Sequence, residues 1–115
     1  MIGLPPAVQI FLATQPANLR LSFDGLTGLV RNHLGGEPLS GHLFVFRNRV
    51  GDRVKILYWD RTGLCLWYKR LQRGTFRFPD ATQPVAQVTA ADLMLILEGI
   101  DLAGARRRKR FQLAA

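Results

Sequence analysis

Hydrophobic and polar positions change period several times along this chain, and each change marks an element. "VQIFLAT", residues 8 to 14, is a short run of apolar and β-favouring types that Pro16 ends, which predicts a first strand. From Asn18 onward the period is helical. Leu19, Phe23, Leu26, Val30 and Leu34 recur at steps of four, three, four and four, with Asn18 as N-cap and Gly35 and Gly36 as the stop. Gly25 and Gly28 each weaken that helix by about 1 kcal/mol relative to Ala, so a neighbouring element is expected to pack closely there.

A block of strands follows. "HLFVFRNR" turns at Gly51-Asp52 into "RVKILYW", "DRTG" leads into "LCLWYKRL", and "RGT" leads into "FRF" before Pro79. Short strands joined by brief loops predict an antiparallel meander. Alternation places Arg53 and Lys55 on one face with Leu57 and Trp59, and Val54, Ile56 and Tyr58 on the other. "DATQPVAQV" reads as a polar connection. Thr89 followed by Asp92 resembles a capping box that opens a second helix through "AADLMLILEGI". Leu93, Ile96, Leu97 and Ile100 form its inner stripe. Met94 and Leu95 widen the apolar surface, which calls for deep burial or for a partner. The expected fold is α+β: a small antiparallel β-meander sheet with two helices packed on one face. One domain over residues 1–103 and a flexible, disordered basic tail over 104–115 complete the expectation.

Size agrees with this. A chain of 115 residues with 48% hydrophobic positions can bury one modest core without a metal or a disulfide framework. The single cysteine, Cys65, allows no internal disulfide and fits a reducing compartment. The start, "MIGLPPAVQIFLA", has no basic n-region and is interrupted by Pro5 and Pro6, so it does not read as a signal peptide. No apolar run approaches the roughly 20 residues of a membrane span. A cytoplasmic location is expected.

Charge changes the picture more. The formal net charge is +8, mostly from arginine, whose planar fork suits phosphate oxygens. The surplus is concentrated. Residues 47 to 77 carry Arg47, Arg49, Arg53, Lys55, Arg61, Lys69, Arg70, Arg73 and Arg77 against only Asp52 and Asp60, and Arg106, Arg107, Arg108, Lys109 and Arg110 follow near the end. Arg47, Arg49, Arg53, Lys55 and Arg77 are therefore candidates to position DNA phosphates from the solvent face of the sheet, and the Arg-rich tail to act as a mobile clamp. Aromatics share the block, and Trp59, on the face of Arg53 and Lys55, is the candidate base-stacking residue.

Catalytic constellations are not legible. Metal-dependent phosphoryl transfer needs two or three converging carboxylates, whereas Asp52 and Asp60 sit at opposite ends of one strand, about 25 Å apart at the usual rise. His33 and His42 flank a Gly-rich connection with no matching Cys pair. Cys65 alternates with Leu64 and Leu66 and reads as a packed thiol. No Walker-type phosphate loop occurs. No catalytic residue, metal or cofactor is expected.

"GLP" at residues 3–5, "SFDGLTGLV" at 22–30, "SGHLFVFRNRVGDRVKILYWDRTGLCLWYKRLQRGTFRFP" at 40–79 and "LEGID" at 97–101 together resemble the TnpB-type accessory proteins of the insertion-sequence sixty-six family. These are small products encoded beside a much larger transposase. The resemblance implies a non-catalytic bacterial protein that assists transposition, with DNA, at the ends of the element, and the separate transposase as partners. A protein–protein adaptor using Met94 and Leu95, with little DNA contact, is the alternative. Relatives typically read Asp-Met-Arg-Lys before the Phe-Asp-Gly segment, whereas this chain reads Asn18-Leu19-Arg20-Leu21 and has no cation at position 21.

Overall fold

The computed structural model describes residues 7–99. Five strands, β1 (Ile10–Ala13), β2 (Leu43–Arg47), β3 (Arg53–Trp59), β4 (Leu64–Arg70) and β5 (Val85–Val88), form one sheet in the order β4-β3-β2-β1-β5. Two helices, α1 (Phe23–Asn32) and α2 (Ala90–Leu97), and a 3₁₀ turn at Pro38–Ser40 complete the described elements. The α+β class is as expected, and three details differ from the sequence reading.

First, the sheet is mixed. β1 runs parallel to β2, with Ile10 opposite Leu43 and Leu12 opposite Val45, while β2-β3, β3-β4 and β1-β5 are antiparallel. A parallel pair needs a crossover connection, and α1 lies within it. Second, β5 arises from the stretch read as a polar connection, whereas "FRF" forms no strand. That segment holds the sheet by one backbone bond, Phe76 N–H to the Gly51 carbonyl at 2.7 Å. Third, the helices lie on opposite faces. Leu93, Ile96 and Leu97 of α2 pack with Ile10, Leu12, Leu43, Val45, Val54 and Ile56. Leu26 and Val30 of α1 pack with Ala13, Phe44, Phe46 and Leu57. Successive strand residues point to opposite faces, so one helix covers each side. The runs Ile10–Ala13 and Leu43–Phe46 are apolar at every position for that reason, as strands buried on both faces are.

Local rules explain the helix ends. The Thr89 hydroxyl accepts from Asp92 N–H at 3.1 Å, as the capping-box reading predicted. α1 starts later than expected: Asn18 caps a separate turn, accepting from Arg20 N–H at 3.0 Å through its side chain and from Leu21 N–H through its carbonyl. Gly25 meets the predicted close approach, since a Cβ there would lie 2.6 Å from a Leu21 methyl, whereas Gly28 has open space. The predicted tail, residues 104–115, lies outside the described residues, as does Ile100.

Candidate nucleic-acid interface

The two helices cover the central strands on both faces, so the cations form no continuous row across the sheet. The expectation of a basic sheet face is therefore corrected: the cations gather at one end of the sheet. β2 finishes at Arg47, the turn carries Arg49, β3 begins at Arg53, and β4 finishes at Lys69 and Arg70. Residues 71–77, with Arg73 and Arg77, then fold back against that turn, because Leu71 N–H donates to the Asp52 carbonyl at 2.8 Å and Phe76 N–H to Gly51.

The turn that organises this end is built around one neutral amide. The Asn48 side-chain oxygen accepts from Gly51 N–H at 2.9 Å and from Arg53 N–H at 3.1 Å, and its NH₂ donates to the Asp52 carboxylate at 2.8 Å. Gly51 has φ of 90°, a left-handed conformation that a side chain would strain. The fixed turn presents Val50, 73% exposed, and the exposed Arg49. Beside it a concavity of about 220 Å³ is lined by Arg47, Gly51, Thr75, Arg77 and Phe78. The Arg47 guanidinium lies 5.5 Å from the Phe78 ring centroid and donates to the Thr14 carbonyl at 3.2 Å. Among the described residues the one carboxylate ion pair is Arg31–Glu37 at 3.5 Å, away from this end, so none of these arginines is neutralised by a partner acid.

The sequence-predicted residues divide accordingly. Arg47, Arg49, Arg53 and Arg77 share this end of the sheet, Arg47 and Arg77 lining one concavity and Arg53 projecting from the opposite face. Lys55 does not join them: it is 8% exposed and its Nζ donates to the Leu21 carbonyl at 2.9 Å, under the Tyr68 ring. Leu21 thus supplies a backbone acceptor and an apolar contact with the α1-side core. Lys69 is likewise engaged, donating to the Leu97 carbonyl at the end of α2 at 2.8 Å. Trp59 ends β3, about 20 Å from Arg53 at the usual rise, and is half-buried. Arg106, Arg107, Arg108, Lys109 and Arg110 lie outside the described residues. Arg70 and Arg73, named only as part of the basic block, belong to the cluster. The signal for Arg70 was the register of β4 against β3, Arg70 opposite Arg53, which a hairpin reading of the two strands contains; Arg73 follows three residues beyond the strand end.

At the far end the β3–β4 turn is anchored by an acid. The Asp60 carboxylate accepts from Thr62 N–H, Gly63 N–H and the Thr62 hydroxyl at 3.0–3.2 Å, and from the Cys65 thiol at 3.4 Å. Those bonds, Thr62 N–H foremost, hold its pKa below the usual carboxylate value. Burial, then the Asp60 hydrogen bond, pushes the Cys65 thiol up, so it is a poor nucleophile. Burial and Cys65 likewise raise Tyr58. Among the described residues no three His, Cys, Asp or Glu side chains converge, and no helix is long and apolar enough to cross a membrane.

A basic, turn-built sheet end on a small α+β domain leaves the family open, and sequence comparison supplies it. The family model described as IS66 Orf2 like protein matches residues 8–107. The chain belongs to this IS66 Orf2-like family. It is 34% identical over 108 residues to the uncharacterized protein y4jC of Sinorhizobium fredii, covering 94% of this chain and 92% of that protein. It is 39% identical over 94 residues to y4hO of the same organism, also uncharacterized, covering 82% of each. No solved structure matches. IS66 Orf2-like proteins are accessory proteins associated with insertion-sequence transposition, which places this chain in that role.

Proposed function

We propose that this IS66 Orf2-like protein binds DNA through the basic end of its sheet, as a non-catalytic accessory to transposition. The observation that carries the reading is the gathering of Arg47, Arg49, Arg53, Arg70, Arg73 and Arg77 at one end of the sheet, Arg47 on its α2 face and Arg53 and Arg70 on its α1 face, with no ion-paired carboxylate among them in the described residues. Concentrated positive charge without internal partners raises the local potential and attracts a polyanion. Releasing condensed counterions from about five phosphates gives a log–log salt slope of about −4.5 on duplex DNA.

The test is a gel-shift titration against the element's own ends and a scrambled duplex at two salt concentrations. Binding that weakens steeply with salt supports the reading, and a slope near zero removes it. Arg73→Glu with Arg77→Glu should weaken binding to both duplexes alike if the contacts are to phosphate. Exposure of Met94, at 51% on α2, supports a second reading in which this helix contacts the separate transposase. Capture of the transposase by wild type and not by Met94→Asp is the result expected, and undiminished capture by the variant would exclude that surface.

A further inference from the structure

Tyr68 differs from the core rings of the central strands. It is 50% exposed, yet it is held on two sides. The Lys55 ammonium lies 4.9 Å from its ring centroid, and Arg53 Nη1 donates to its hydroxyl at 3.3 Å. Lys55 is itself immobilised by the Leu21 carbonyl. One face of the ring therefore covers a buried cation while the residue stays half open to solvent. A free surface tyrosine loses rotamer freedom when a ligand orders it; here that loss has already occurred on folding.

The neighbours of the ring are as informative. Arg53 and Arg70 stand directly opposite each other across β3 and β4, on the same face as Tyr68. Like charges in that register destabilise a sheet, and no carboxylate pairs with either among the described residues. The patch thus offers a fixed flat ring with two uncompensated guanidinium groups beside it, one cross-strand pair nearer the basic end, a combination that matches a flat base joined to phosphates. Duplex DNA exposes no such base face within its length. An acidic peptide would satisfy the arginines and leave the ring without a counterpart.

We infer that Tyr68 is a stacking platform for an unpaired base of single-stranded nucleic acid, with Arg53 and Arg70 on the phosphates to one side of it. The inference rests on the proposed DNA-binding reading for its anion and adds the state of the strand. The ammonium under the ring draws π density toward itself, so the open face favours the electron-rich rings of a purine.

The experiment titrates full-length protein into a short single strand with a central 2-aminopurine, and into the same sequence as a duplex. Wild type should quench the fluorescence on binding the single strand. Tyr68→Leu should bind that strand roughly tenfold more weakly, without the quench, while its duplex affinity and salt slope stay as in wild type. Tyr68→Phe keeps the ring over Lys55 and should retain the quench, and circular dichroism verifies that both variants fold. Wild-type single-strand binding by Tyr68→Leu, or a surviving quench, overturns the platform while duplex binding leaves the broader reading intact. Loss of an unlabelled acidic peptide's competition in Tyr68→Leu alone would also overturn it in favour of a protein ligand. Absence of any binding by wild type, to single strand or duplex, ends both.

Discussion

The two ends of the sheet solve one problem with different chemistry. Each hairpin turn must satisfy several backbone N–H groups, and each does so with one short side chain, Asn48 at the β2–β3 end and Asp60 at the β3–β4 end. The carboxylate end is self-contained: its charge is consumed by four local donors and only Arg61, with φ of 85°, stands beside it. The amide end organises its turn without adding a negative charge, and Asp52 there faces the Asn48 NH₂ rather than a guanidinium. Turn chemistry therefore decides where the arginines stay available. Equal basic residues in the sequence are unequal in the fold for this reason.

That contrast can be broken most severely at Asn48. Asn48→Ala removes three side-chain hydrogen bonds and should cost about 2 kcal/mol in a urea titration, with weaker DNA binding because Arg49 and Arg53 lose their placement. Next comes Lys69, the cation of the basic end that is spent on folding. Lys69→Met frees the Leu97 carbonyl and should cost about 1 kcal/mol while the DNA salt slope stays unchanged; a shallower slope would show that it reaches phosphate after all.

Smaller effects sharpen the acid end. Since the folded pKa of Asp60 lies below its unfolded value, its contribution is complete above the ordinary carboxylate value and is lost as pH falls through the folded one. Wild type should lose urea resistance as pH falls below the ordinary carboxylate value of about 4, and Asp60→Asn, which keeps an acceptor oxygen, should lose less. Smallest is the thiol: Cys65 should react sluggishly with iodoacetamide near neutrality, and Asp60→Asn should speed the reaction a few-fold by removing the carboxylate that raises its pKa.

Much of this architecture was readable from local pattern. Thr89 and Asp92 announced α2, the alternation of β3 set its two faces, and the density of cations between residues 47 and 77 marked the candidate interface. What escaped were matters of assembly. β5 is four residues with a glutamine inside and a proline before it, too short and polar for a periodic signal. The side on which each helix packs follows from β1 entering beside β2 in parallel, a long-range fact. A clue was present in Leu43–Phe46, apolar at four successive positions, which fits a strand covered on both sides and not an open meander. Lys55 and Trp59 were placed on the correct face, but the face is not wet there: the Leu21 carbonyl and the Tyr68 ring cover Lys55, and Tyr68 of the edge strand takes the exposed place instead.

The position of β1 also governs how the chain can reach this shape. Ile10 is paired with Val88, so the strand nearest the amino end cannot complete its hydrogen bonding until nearly the whole described domain has left the ribosome. Until then one edge of β1 is unpaired and its Ile-Phe-Leu-Ala sequence is available to other chains. Products truncated before residue 85 should consequently aggregate rather than form a smaller sheet, which makes abundance of this protein sensitive to interrupted translation.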